Sequence, residues 1–189
     1  MKLLNLLLLV GGLVAIAAYA DNTQDQIAAN RAAVKEFAQA IQSELQGAMK
    51  AGGSVNAIGV CIEKAPAIAA AISKKNGWKA SRTSLKPRNP DNAPDAWEKK
   101  VLQDFEKRKA GGEDSANLEY SEMVMDGGKH EVRYMKAIVI AEGTPCLACH
   151  GSNIAPEVSA KLKTFYPKDQ ATGYKTGDIR GAFSIRQPM

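Results

Sequence analysis

The sequence predicts an α+β fold in which long N-terminal helices pack against one side of an antiparallel sheet. In the first part of the chain, apolar residues recur at helical spacing. In later segments they alternate with polar residues, as in strands, and Asp126-Gly127-Gly128 joins two of these segments as a hairpin turn would. Because runs of helix come before runs of strand instead of alternating with them, an α+β arrangement is favoured over a parallel sheet.

The first 20 residues have the features of a secretory signal peptide. Lys2 precedes an apolar run over residues 6–18, and small residues surround the expected cleavage point after Ala20. The alternative is an uncleaved membrane anchor, since this stretch is near the lower length limit for a membrane-spanning helix. We expect cleavage, which leaves residues 21–189 as one exported, periplasmic domain.

Two helical segments follow. Residues 22–50 form an amphipathic pattern that Gly52-Gly53 should end. Residues 54–72 repeat the pattern on a face of small and apolar side chains, and Pro66 should kink or restart this second helix. Small side chains on that face would let a flat ligand approach the backbone closely.

A short strand is expected over residues 78–84, followed by a loop over residues 86–94, which contain three prolines. Asp95 then caps a helix, with Glu98 placed three residues later as in a capping box. The buried stripe of this helix should consist of its large apolar residues, namely Trp97, Val101, Leu102 and Phe105.

The second half supplies most of the sheet. Strands are expected over residues 118–125 and 131–141, a helix over residues 156–165, and a last strand over residues 179–186. In that strand one face is predicted to carry Ile179, Gly181, Phe183 and Ile185.

The strongest functional signal is the segment Cys146-Leu147-Ala148-Cys149-His150-Gly151. Two cysteines separated by two residues and followed at once by histidine match the attachment pattern of a c-type haem. In this chemistry Cys146 and Cys149 form thioethers to the two vinyl groups, and His150 is the proximal iron ligand. We expect one covalently attached haem.

Two other interpretations of the cysteine pair fit less well. A thioredoxin-like redox pair usually begins a helix after a strand within a βαβ unit. Half of a zinc site needs a second pair of ligands, which a chain with three cysteines and two histidines does not easily supply.

Cys61 is the cysteine left over once haem attachment has used the other two. An unpaired thiol in an exported protein needs an explanation. It lies on the small-sided face of the second helix, so it is either a second iron ligand or a small buried core residue. These residues leave both possibilities open.

The other candidate ligands are weaker. His130 follows a predicted turn and should be exposed, whereas Met49, Met123, Met125 and Met135 are expected to fill core space.

Arg82 and Arg88 could bind the haem propionates, because a guanidinium fork suits a carboxylate. Loop arginines are more often simply solvated.

The charge balance excludes a nucleic-acid-binding protein. Without Lys2 the mature chain has 24 basic and 20 acidic residues, a net charge of +4, and the basic residues are spread along the chain. An acidic redox partner fits this surface. The sequence does not indicate an oligomeric state.

An ordered set of motifs resembles the c-type haem family with a PAS-like fold. The resemblance covers roughly residues 30–186 and rests on Ala65-Pro66 just after Cys61, Arg82-Thr83-Ser84-Leu85-Lys86-Pro87-Arg88-Asn89-Pro90, the haem motif, Tyr166-Pro167, and Gly177-Asp178-Ile179-Arg180-Gly181-Ala182-Phe183-Ser184. It implies that Cys61 is the distal haem ligand opposite His150, and that the sheet is PAS-like.

The resemblance favours a haem-based redox or gas sensor that acts through another protein, since no effector domain follows the haem unit. A small exported protein with one haem also fits a periplasmic electron-transfer cytochrome. An enzyme such as a peroxidase is disfavoured, because a sixth ligand would block the iron and no distal acid-base pair is evident.

Overall fold

The computed structural model describes the backbone of residues 4–189 and the side chains of residues 24–189. The predicted signal peptide, residues 1–20, therefore lies outside the residues that are described in full, and its cleavage stays a prediction.

Five α-helices and a four-stranded antiparallel sheet make up the described chain. The helices are α1 (Leu4–Gly59), α2 (Ala65–Asn76), α3 (Ala96–Ala110), α4 (Leu147–His150) and α5 (Pro156–Phe165), and the strands are β1 (Lys79–Thr83), β2 (Glu119–Asp126), β3 (Lys129–Val139) and β4 (Ile179–Pro188). The strand order is β1-β4-β3-β2, with every neighbouring pair antiparallel. The predicted fold class is confirmed.

The long helical region is interrupted where the sequence predicts. Gly52 and Gly53 leave helical geometry, and Gly53 takes a positive φ of 64° that favours glycine. A π-helical turn, Val60–Lys64, then separates α1 from α2, and Pro66 lies in the first turn of α2. Proline has no N–H to donate within a helix, so the chain restarts here.

One face of the sheet packs against α1 and α2. Phe37 is fully buried and lies 5.1 Å, between ring centroids, from Phe183 of β4. Ile72 of α2 and Tyr134 of β3 belong to the same apolar cluster. The stretch Gln24–Asn76 is long and apolar enough to cross a membrane, but core helices of soluble proteins pass that test as well.

The long N-terminal helices pack on one face of the sheet as predicted. The opposite face is covered as well, by α3, which the sequence did not predict. Leu102 and Phe105 of α3 are buried against Met135 and Ala182. The capping box at Asp95 forms as predicted and starts this helix. Burial on both faces explains why β4 contains an almost continuous run of buried residues.

A β-bulge in β4 changes which way its first residues face. Ile138 pairs with Gly181 and Val139 pairs with Ile179, so Arg180 has no opposite residue. Ile179 consequently packs with the α3 cluster instead of sharing a face with Phe183, which corrects the predicted alternation.

Three of the four methionines predicted to fill the core differ from their predicted burial, whereas His130 is exposed as expected. Met135 is fully buried, but Met123 and Met125 of the edge strand β2 are exposed, so their assignment to the core is wrong. Met49 is half-buried and lines a cavity instead of filling the core.

Candidate functional site

A cavity between the helices and the sheet brings together every site residue predicted from the sequence. Its volume, including the solvent-filled opening, is about 1210 Å³. The six predicted residues that line it are Cys61, Arg82, Arg88, Cys146, Cys149 and His150. They come from distant parts of the chain, so the fold creates this site.

The haem-motif residues share one side of a single helical turn. α4 is four residues long, and the amide of His150 donates to the carbonyl of Cys146 at 2.9 Å. Side chains three and four residues apart lie on the same face of a helix, which groups Cys146, Cys149 and His150. A Cβ on Gly151 would come within 2.6 Å of the Leu147 carbonyl oxygen, so glycine is required where the turn ends.

His150 is held in the form that suits metal binding through Nε2. Its Nδ1 lies 2.7 Å from the carbonyl oxygen of Ala171, to which it donates, and the lone pair is then left on Nε2. Burial lowers the pKa of His150 to about 2, with nearby Arg180 and Arg88 lowering it further, so the imidazole is neutral at physiological pH. Arg180 Nε lies 3.3 Å from the same Nδ1, a contact that cannot be a hydrogen bond while Nδ1 carries its proton.

Cys61 faces the cavity from the π-helical turn. Its side chain is half-buried, and Ala57, Val60 and Ala65 provide small cavity-lining neighbours. The extra residue of a π-turn shifts the direction in which side chains project, and such turns are frequent at functional sites. The helical face predicted as continuous is divided here: Ile58 packs towards α5, whereas Ile72 packs on the sheet.

The three cysteines are free thiols. Burial raises the pKa of Cys149, an effect that Arg88 opposes. Among the described residues no three His, Cys, Asp or Glu side chains come together closely enough to hold a metal ion. The zinc interpretation therefore has no support in the geometry of Cys61 and the motif.

Arg88 holds the motif in place. Its Nε donates to Asp169 Oδ2 at 2.9 Å, and both side chains are nearly buried. Its Nη2 donates to the carbonyl oxygens of Cys149 and Ala171, the second at 3.2 Å. Since Ala171 also accepts from His150, Arg88 helps to position the predicted proximal ligand.

Arg82 and Arg180 are the other two cavity arginines. Burial lowers the pKa of Arg82, an effect that Cys61 and Tyr166 oppose. No carboxylate of the described chain lies within 4 Å of the Arg82 guanidinium, in contrast to that of Arg88. Arg180 donates to Ser84 Oγ at 3.0 Å and stacks over Tyr174 at 5.5 Å.

Arg180 and Tyr174 are two residues of the site that were not predicted from the sequence. Tyr174 is buried, and its ring meets the His150 ring edge-on at 6.2 Å. Arg180 stands within the motif Gly177 to Ser184 and immediately before a glycine, a signal that could have pointed to it.

The cavity suits a flat, largely apolar cofactor. Its walls include apolar residues from α1, β3 and α5, namely Ile41, Leu45, Met49, Ile58, Ile138, Ile140 and Leu162. Cofactor sites are mostly apolar, with few polar groups that fix orientation. Gly181 lines this wall, and a Cβ there would collide with the carbonyl oxygen of Thr83. A porphyrin fits the residues present, with two thiols and an imidazole in one part of the lining and a third thiol on a different element.

Comparisons with known proteins agree with this description. The Tll0287-like family model (Tll0287) matches residues 17–188. A crystal structure of the cyanobacterial haem protein Tll0287 is similar to this chain, with a TM-score of 0.66 and 24% sequence identity. The match covers 87% of this chain and 96% of that one. No curated protein matches the sequence.

Proposed function

The chain belongs to the Tll0287-like family, and from that premise we propose that it is an exported, periplasmic c-type haem protein that signals redox state or a small gas to a partner. The observation that carries this proposal is the single cavity that contains the haem motif and Cys61 together. The similar structure is that of a haem protein, which supports the same cofactor here.

Cys146 and Cys149 would hold one haem, each S–H adding across one vinyl group of the porphyrin. His150 Nε2 would be the proximal ligand, because Nδ1 of this residue already donates to the carbonyl oxygen of Ala171. The bound haem supplies one-electron redox chemistry and an iron site for small ligands. For the haem propionates the sequence predicts Arg82 and Arg88, and both line the cavity.

Cys61 would be the distal ligand of ferric haem. A thiolate is an anionic donor and favours ferric over ferrous iron, so the reduction potential should be lower than with a histidine and methionine pair. On reduction Cys61 would be held less firmly, and its thiol could take up a proton because a free thiol has a pKa of about 8.5. Release of Cys61 would leave room for a small gas.

This scheme makes the potential depend on pH. Where one proton is taken up with each electron, the potential falls as pH rises, by at most about 59 mV per pH unit.

A periplasmic electron carrier is the second candidate function. The presence of both predicted axial ligands in one cavity favours it, since a carrier keeps six-coordinate iron in both oxidation states. Carbon monoxide binding to the reduced protein separates the two functions: a gas sensor binds it after losing Cys61, whereas a carrier excludes it. Neither function requires catalysis, and we propose no enzymatic activity.

The ligand assignment is tested by comparing Cys61→Ser with Met49→Leu. Both residues place sulfur on the cavity wall, so Met49 is a matched control. Cys61→Ser should lose the thiolate-type ferric absorption and electron paramagnetic resonance spectra and rise in potential, whereas Met49→Leu should match the parent. Unchanged spectra in Cys61→Ser would assign the distal position to a residue other than Cys61, as would loss of the thiolate-type spectrum in Met49→Leu.

A further inference from the structure

The haem cavity has an excess of positive charge. Among the described residues, three arginines line it, namely Arg82, Arg88 and Arg180, and no aspartate or glutamate does. Arg88 is paired with Asp169, which is not one of the residues that line the cavity. Two positive charges are left without a carboxylate partner among the described residues.

A buried cation without a counterion is unfavourable, because removal from water costs more than neutral hydrogen bonds return. Arg180 is half-buried, and its hydrogen bonds go to Ser84 Oγ and to the Lys86 carbonyl oxygen, both neutral acceptors. Burial lowers the pKa of Arg180, and the neighbouring Arg88 and Arg82 lower it further. The cavity is thus electrostatically complementary to a ligand that carries negative charge.

The β-bulge gives Arg180 its place in the cavity. Without the extra residue, strict alternation would put Arg180 on the face of β4 that Ala182 shares with α3. Bulges re-aim side chains next to functional sites, and this one turns a basic side chain from the apolar core to the cavity. Gly181 allows the distorted strand to pass close to the Thr83 carbonyl oxygen.

We propose that Arg82 and Arg180 bind the two propionate carboxylates of the haem, so that Arg180, rather than Arg88, is the second propionate-binding residue. This inference rests on the proposed function. Two uncompensated guanidinium groups match the two carboxylates of one haem in number and sign, and a guanidinium is suited to bind a carboxylate through two parallel hydrogen bonds. Arg88 instead uses its Nε and Nη2 on Asp169 and on backbone carbonyls.

Arg180 also contacts the ring of His150. The positive charge of Arg180 therefore lies next to the predicted proximal ligand, where it would disfavour ferric iron. Removal of that charge should lower the reduction potential as well as release the propionate.

The experiment compares Arg180→Gln, Arg82→Gln and the parent holoprotein by resonance Raman spectroscopy, in which the propionate bending modes report hydrogen bonding to each carboxylate. Each variant should shift a propionate mode, and Arg180→Gln should lower the potential. Arg186→Gln is the matched control: Arg186 lies on the same strand, binds Glu131 and lies outside the cavity lining, so its modes should match the parent.

Arg180→Lys keeps the charge and decides the outcome if Arg180→Gln fails to load haem. A parental potential together with a shifted propionate mode in Arg180→Lys supports the proposal. Propionate modes identical to the parent in Arg180→Gln or, failing that, in Arg180→Lys would overturn it, as would an equal shift in Arg186→Gln. If the parent itself carries no covalent haem, the proposed function fails and the arginine assignment fails with it. If the parent carries haem but the substitutions leave the propionate modes unchanged, only the arginine assignment is refuted.

Discussion

Replacing Asp169 with asparagine removes the partner of a nearly buried charge. The Arg88 and Asp169 side chains are 6% and 12% exposed, and their ion pair measures 2.9 Å. Asparagine keeps the size of the side chain and can still accept from the amide of Ala171, as Asp169 Oδ1 does at 2.7 Å. What is lost is the negative charge and the acceptor of Arg88 Nε, because the Nδ2 group that replaces Oδ2 is a donor.

Breaking a buried ion pair on one side typically costs about 3–5 kcal/mol, because the other charge stays buried without compensation. Arg88 still donates to the carbonyl oxygens of Cys149 and Ala171. We therefore expect Asp169→Asn to lower the free energy of unfolding by about 3 kcal/mol, at the lower end of that range. With a urea m-value of about 2 kcal/mol/M, the midpoint should fall by about 1.5 M.

Urea unfolding of the holoprotein, followed by far-UV circular dichroism, measures this change. The control is Glu113→Gln, which breaks the exposed ion pair between Arg108 and Glu113 at 2.7 Å. Its midpoint should move by a small fraction of the Asp169→Asn shift, since solvent screens exposed pairs. A loss below about 1 kcal/mol for Asp169→Asn would refute the argument that burial makes the Arg88 pair important.

Three further changes test the fold around the site. Phe37→Ala removes a fully buried ring from the cluster between α1 and the sheet and should cost about 3–5 kcal/mol in urea unfolding; a loss below about 1 kcal/mol would contradict this packing. Gly181→Ala should cost about 1–3 kcal/mol and reduce haem loading, since the new Cβ collides with the Thr83 carbonyl oxygen; parental stability and loading would contradict the close approach. Burial tends to raise the pKa of Asp95, but hydrogen bonds from Arg133 and the Glu98 amide outweigh it and hold that pKa below its usual 3.8. Because the folded-state pKa is depressed, Asp95 stabilises the protein above about pH 4 and loses this effect as pH falls further. The difference in the free energy of unfolding between the parent and Asp95→Asn should therefore disappear in acid. A difference that does not change with pH would contradict the role of the Asp95 charge.

Local sequence signals predicted the elements well where their cause is local. The capping box at Asp95, the Gly52-Gly53 break and the restart at Pro66 depend on neighbouring residues, and all three occur. The predicted helix over residues 156–165 has the observed bounds. In each case one or two side chains decide the backbone conformation.

Long-range pairing explains what could not be predicted. The bulge at Arg180 depends on the register between β3 and β4, which alternation within one strand does not contain. Burial of both sheet faces was missed because Ala182 and Ser184 are small and give no apolar signal, although both are buried beside α3. Cys61 and the haem motif were singled out by residue type and count, but their common cavity is a property of the fold.

Covalent attachment of the haem is measured by the mass of the purified protein after acid-acetone extraction. We expect the red colour to stay with the polypeptide, and the mass to equal that of the chain from Asp21 onward plus one haem, bound through Cys146 and Cys149. If the colour leaves with the solvent, or the polypeptide mass lacks one haem, the covalent attachment proposed for this cavity is wrong.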